Sequence, residues 1–459
     1  MSFKAPDLSI KQIYDEVMTT VLGPRPKMAT LLLMIILAAI VLHGVFQFFR
    51  QSFVGLGVTG LTMPVYWGIY IATFVFWIGV AHAGALISAI LRITGAEWKS
   101  SITRIAEVIT LFTLPAAASF PFIHMGRPGL FYYLIPYPNN RLIWPNFKSP
   151  LMWDFFAIST YFIGSVLFLY VTLIPDLGTA RPNMKGWRKT LYTILSFGWR
   201  GTAEEWKRVK EAAALFSVLI LPVVISVHTI VSWDFAMQLV PGWHSEVFGP
   251  YFFVGALYSG VAAVFTVMTL LKWRCGFKDL ITPIHYDMLG RVFLALGLAW
   301  AYLFFNDFLP GYYSNEPDKM AYFRYLAFSH PYSVLFWLMF LTNFVLPIAC
   351  LSFKGFRMST VPMFLLSIGV NVGMYIERVL IVFCGTQVYN PLARNVTVYV
   401  PSFTEISIVA ATFAGVTLGY MLFIRAFPIL PIWELAETKI RQTVREIAGK
   451  KVYYFKSGE

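Results

Sequence analysis

Residues 28–49 read MATLLLMIILAAIVLHGVFQFF, twenty-two positions with no Asp, Glu, Lys or Arg among them. At 1.5 Å per residue, about 20 apolar residues cross the roughly 30 Å hydrocarbon layer as a helix, a form that pairs its own backbone polar groups. About 27 mostly polar residues precede the run and no small-residue cleavage site follows it, so it reads as a membrane span and not as a secretory signal.

Working outward from this run, the same criterion gives nine more spans, near 63–91, 105–125, 151–176, 211–232, 250–272, 291–309, 331–353, 360–384 and 405–427. The fold class is therefore an all-α polytopic membrane protein of about ten transmembrane helices. No Gly/Ser-rich or Pro-rich linker interrupts the array. The expected organisation is an N-terminal tail 1–27, one membrane domain 28–428 and a C-terminal tail 429–459. Spans 2–5 (about 63–232) and 6–9 (about 250–384) make two four-helix bundles in the same orientation, with one helix flanking each end.

Composition agrees: of 459 residues, 58% are hydrophobic and 13% charged, and the mean hydropathy is +0.66. Soluble domains carry about 25% charge, so a soluble multi-domain enzyme is excluded. The net charge of +13 is topological: 28 of the 36 Lys and Arg fall on one side of the ten spans and seven on the other, with Arg378 inside the ninth. Such a bias marks the cytoplasmic side. Both termini and the loop 177–210 are placed in the cytoplasm. Loops 50–62, 126–150, 233–249, 310–330 and 385–404 are placed outside, and no nucleic-acid partner is expected. The basic loop with Lys185, Arg188 and Lys189 reads as a membrane-surface helix whose Trp187 and Trp199 lie at headgroup level.

Cys275, Cys350 and Cys384 are far apart and form no CxxC, CxxCH or zinc spacing. The chain is expected to hold no metal, iron–sulfur cluster or haem of its own. His82 and His228 are candidate haem ligands, but no helix carries two well-spaced histidines for the usual paired arrangement.

Ionisable groups in membrane spans are costly, which makes each a functional candidate. They are His82, Glu107, His228, Asp307, Glu377 and Arg378, placed at several depths, a pattern suited to proton transfer. The plainer alternative is that each satisfies a neighbour on another helix or reaches interfacial water. Topology gathers a tighter set at the outer face. Span 3 ends there at His124, span 4 begins there with Asp154, and span 5 runs outward through His228 to Trp233 and Asp234. A quinol losing two electrons must also lose two protons, and a neutral His beside carboxylates suits that task. Asp154 alone also fits a carboxylate at a helix N-terminus.

The run His124-Met125-Gly126-Arg127-Pro128, followed by Ser149-Pro150-Leu151-Met152-Trp153-Asp154, resembles motifs of the NrfD/polysulfide reductase membrane-subunit family. The stretch Ser226–Ala236, continuing through Pro241-Gly242-Trp243-His244, is similar to the ActC-type branch found in bacterial alternative complex III. The resemblance implies two four-helix bundles with a helix added at each end. It implies a site for quinol, menaquinol or ubiquinol, formed by His124, Asp154 and Arg127 with Asp234 assisting, and His124, Asp154 and Asp234 acting catalytically. It further implies an iron–sulfur ActB-like partner on the outer face, c-type haem subunits, a second ActF-like membrane subunit, and a proton path. Alternatives are the membrane anchor of a molybdopterin or sulfur-compound reductase, distinguished by a copurifying molybdenum subunit, and a secondary transporter, which would move solute without redox partners.

Overall fold

The computed structural model describes residues 8–24, 26–62, 65–135, 147–240, 242–243, 245–388, 398–442, 444–447 and 450–453. Among the described residues, ten helices are long and apolar enough to cross a membrane. In chain order the helices are α1 (Ile10–Leu22), α2 (Met28–Val54), α3 (Gly68–Ile93), α4 (Thr103–His124), α5 (Pro150–Ala180), α6 (Trp187–Leu195), α7 (Ala203–Ala236), α8 (Phe248–Arg274), α9 (Pro283–Tyr313) and α10 (Pro317–Phe328). They continue with α11 (Tyr332–Leu351), α12 (Thr360–Val388), α13 (Phe403–Ala426) and α14 (Ile432–Gln442). A short antiparallel hairpin, β1 (Val444–Ile447) with β2 (Lys450–Tyr453), follows.

The spans sort into two bundles, α3, α4, α5 and α7, then α8, α9, α11 and α12. They meet where α3 and α7 pack on α8 and where α3 packs on α12, which buries α3 nearly all round. The two flanking spans, distant in sequence, pack against each other: α2 lies along α13, leaving most of its apolar surface facing outward. Outward-facing Leu and Ile are the expected covering for a helix whose solvent is lipid.

Proline shapes several spans. Pro347 has no N–H to give the carbonyl of Asn343, and α11 widens into a π turn over Leu341–Val345 just before it. Tyr258 of α8 donates its hydroxyl to that carbonyl at 3.1 Å, so the break is satisfied across the bundle.

The ends beyond the spans are also packed. α1 meets α14, and Ile429 and Leu430 are fully buried. In the basic loop, α6 carries Trp187 well exposed, as a surface helix should. Trp199 departs from expectation: it is buried, set against Gly178 and edge-on to Trp206 at 5.0 Å. The absence of a side chain at Gly178 leaves room for the indole, so packing outcompetes the headgroup region for it.

Candidate functional site at one end of the first bundle

α4 ends at His124, and the turn after it depends on Gly126, whose φ of +71° lies in the left-handed region. A Cβ there would stand 2.9 Å from Leu56 Cγ, so both backbone and packing favour glycine in this run. Arg127 follows with an exposed side chain. α5 starts with Pro150 at its first position, where a missing N–H costs nothing, and places Asp154 in its opening turns. Asp154 is 2% exposed, and neither of its carboxyl oxygens finds a hydrogen bond of good geometry among the described residues.

Asp234 comes from the last turns of α7 and is close enough to Asp154 for the two carboxyls to interact directly. Their neighbours make the juxtaposition: Trp153 and Trp233 meet edge-on at 6.0 Å, and Trp153 Nε1 donates to the Phe147 carbonyl at 2.8 Å. His124 is half-buried, with Nδ1 buried and unpaired among the described residues. The site therefore presents an imidazole nitrogen and two facing carboxyls at one end of three adjacent helices. These groups are able to accept protons from an amphipathic ring compound entering from the membrane. The loop residues Pro241 and His244, part of the motif that drew attention to this end, lie outside the described residues.

His228 does not join this group. Six residues before Asp234, it sits roughly 9 Å deeper along the helix. There its ring meets that of His82 at a centroid distance of 4.8 Å. His82 Nδ1 donates to the Ile78 carbonyl and its ring stacks on Tyr161, while His228 Nε2 donates to the Phe252 carbonyl at 2.8 Å. Both rings are fully buried, and the second nitrogen of each, His82 Nε2 and His228 Nδ1, is unpaired among the described residues. Rings already in contact leave no room for a porphyrin between them.

The other ionisable candidates occupy two separate places. Glu107, near the start of α4, accepts from Ser88 at 2.5 Å and from Arg92 Nη2 at 3.0 Å. In the second bundle, Glu377 accepts from Tyr251 and, at 3.0 Å, from Trp300 Nε1, while Arg378 lies 4.4 Å over the Phe252 ring. Asp307 accepts from Ser245. Asp307, Glu377, Tyr251 and Tyr322 line one small cleft walled by Phe248, Phe304 and Phe308.

A family model for the polysulphide reductase NrfD matches residues 57–390, nearly three quarters of the chain. The chain belongs to the NrfD family. Two curated relatives are similar over most of their length. A Halobacterium salinarum protein, named for the membrane component of a dimethyl sulfoxide reductase, is 25% identical over 365 residues, covering 77% of each chain. A component of the selenate reductase of Mesobacillus selenatarsenatis is 21% identical over 316 residues, 66% of this chain and 70% of the relative. Both names are those of reductase components and neither mentions alternative complex III. The NrfD match takes in the candidate site and both bundles, and it leaves α2, α13 and α14 outside.

The structure adds charged residues of this NrfD protein that hydropathy alone leaves at span ends or in the tail. Arg104 is fully buried, paired with Asp176, and donates to the carbonyls of Thr172 (2.8 Å) and Leu430 (3.2 Å). Asp176 in turn accepts from the backbone N–H of Ile432 and Trp433, which caps α14. Arg92 bridges Glu107 and, at 2.5 Å, Glu434 of α14. An Arg close to a span end, together with an amphipathic C-terminal segment that carries Glu434 and Glu437, was the available signal.

Proposed function

We propose that this chain is the quinol-binding membrane subunit of a respiratory reductase complex. His124, Asp154 and Asp234 take up the two protons that a quinol releases as it is oxidised, and Arg127 lies at the entrance. The two electrons leave to an iron–sulfur partner subunit on the same face and from there to a reductase subunit of the molybdenum type. The reductase reading over alternative complex III follows from the names of the two relatives; the ActC-like stretch 226–236 is the argument for the other assembly, with its c-type haems.

The observation that carries the quinol site is the pair of buried Asp154 and half-buried Asp234, facing each other one helix away from the unpaired imidazole nitrogen of His124. Burying the Asp154 carboxyl beside a second carboxyl costs free energy that a purely structural apolar contact would not. At the second level, the groups from His82 to Glu377 and Asp307 serve proton movement between the faces.

The test is Asp154→Asn, which keeps shape and removes the proton acceptor. Purified complex carrying it is expected to assemble fully and to oxidise a reduced quinone analogue about a hundredfold more slowly. Wild-type turnover in that variant sinks the site. The cofactors that copurify, a molybdenum centre or c-type haem, decide between the two assemblies.

A further inference from the structure

Gln51 lies in the last turn of α2, outside the stretch that the NrfD model matches, and on a helix that packs along α13 and leaves most of its apolar surface facing outward. It is nevertheless 1% exposed. A primary amide buried at a membrane helix end is costly unless each of its polar atoms is engaged, and here both are. Gln51 Nε2 donates to the carbonyl of Ile123 at 2.7 Å, and Gln51 Oε1 accepts from the hydroxyl of Tyr70 at 2.6 Å.

These partners have meaning in the fold. Ile123 is the residue before His124, in the final turn of α4, where carbonyls lack the helical N–H that would otherwise bind them. Tyr70 belongs to the first turn of α3 and is itself fully buried, with its ring against Phe120 of α4. The Ile123 carbonyl can only accept, so it fixes which end of the amide faces it, and the Tyr70 O–H then donates to the oxygen end. A single amide thus clips the ends of α2, α3 and α4 together at the level of His124. Leu56, just beyond α2, closes on Gly126 from the other side of the same turn.

We infer that Gln51 is a positioning residue for the quinol site: oriented by Tyr70, its amide holds the Ile123 carbonyl and so fixes the backbone from which His124 reaches the substrate. The inference rests on the quinol reading of His124 and Asp154. It assigns the N-terminal flanking helix a part in that site, although the helix brings no group to the reacting atoms. A displacement of about 1 Å in such a group can cost about a hundredfold in rate.

The experiment uses the purified complex with a reduced short-chain quinone analogue, turnover being expressed per assembled complex. Gln51→Leu removes the donor and is expected to lower kcat/KM for the quinol about tenfold or more. Gln51→Glu supplies the readout that a merely structural role would not move. Protonated, its O–H donates to Ile123 and its carbonyl accepts from Tyr70, so activity returns; ionised, it has no donor. Gln51→Glu should therefore approach wild type at acidic pH and lose activity as pH rises, along a profile the wild type lacks.

Gln51→Leu turnover within about twofold of wild type overturns the inference. Should Gln51→Leu fail to assemble, Gln51→Glu decides alone: a wild-type pH profile overturns, and the added alkaline loss supports. His124→Leu and Asp154→Asn are run in parallel. If both keep full turnover, the quinol reading itself has failed; if both are inactive while the Gln51 variants behave as wild type, only the positioning inference has.

Discussion

Among the described residues, Arg104 is the largest charged side chain sealed completely inside the protein, and its five N–H groups need acceptors that water cannot supply there. Asp176 and the carbonyls of Thr172 and Leu430 supply them for the two terminal nitrogens, while Nε has no partner among the described residues. A buried pair of this kind adds little net stability compared with an apolar pair, yet breaking it by removing one partner costs about 3–5 kcal/mol. Arg104→Leu leaves Asp176 buried without its cation. We expect that variant to accumulate poorly in the membrane and to lose its thermal transition at a lower temperature, measured on the detergent-purified protein. Arg104→Leu with Asp176→Leu should recover part of the loss; a double variant worse than either single would overturn the pairing argument.

At this scale the sequence told less than it did about the candidate site. His124, Asp154 and Asp234 were legible because motif and topology placed them at one face. Arg104 and Asp176 were not, because a charge near the end of an apolar run is indistinguishable from a loop charge until the tail that covers it is seen. Gln51 was hidden for a related reason, since one polar residue in a span facing lipid on most sides carries no periodic signal.

Elements were legible from length and apolarity, and all ten spans fall where the hydropathy runs place them. What patterning could not supply is how an element adapts to its own proline. In α11 the freed carbonyl of Asn343 is met by Tyr258 from α8, a contact fixed by packing between helices far apart in sequence. Tyr258→Phe removes the donor, keeps the ring stacked near Phe293 and Trp300, and leaves the carbonyl unsatisfied. A buried polar group left so costs about 1–3 kcal/mol. The expected result is a lowered thermal midpoint with quinol turnover per folded complex unchanged, because the first bundle is untouched. A midpoint equal to wild type would show that α11 repairs its break without Tyr258. The docking of α14 is the same lesson at a terminus: a segment polar by composition becomes part of the packed end once Asp176 caps it and Arg92 reaches Glu434.

The whole molecule joins its two bundles through a line of polar groups that neither bundle contains alone. His82 and His228 meet between α3 and α7, His228 donates to the carbonyl of Phe252 on α8, and the Phe252 ring carries Arg378 of α12, beside Glu377 and Tyr251. The cleft with Asp307 continues that line in the second bundle. A quinol oxidised at the first bundle releases two protons for its two electrons whatever the rest of the molecule does, so any proton moved through this line appears in addition. Glu377→Gln keeps an acceptor oxygen for Tyr251 and Trp300 but can no longer take up a proton. In vesicles holding the complete complex, this variant is expected to oxidise quinol at the wild-type rate under uncoupled conditions while its proton yield per electron falls to that of the quinol alone. A wild-type yield with Glu377→Gln would mean that the carboxyl only braces α8 against α12. A fall in both rate and yield would place its effect on the redox step, and so tie the second bundle to the site at His124 through Phe252.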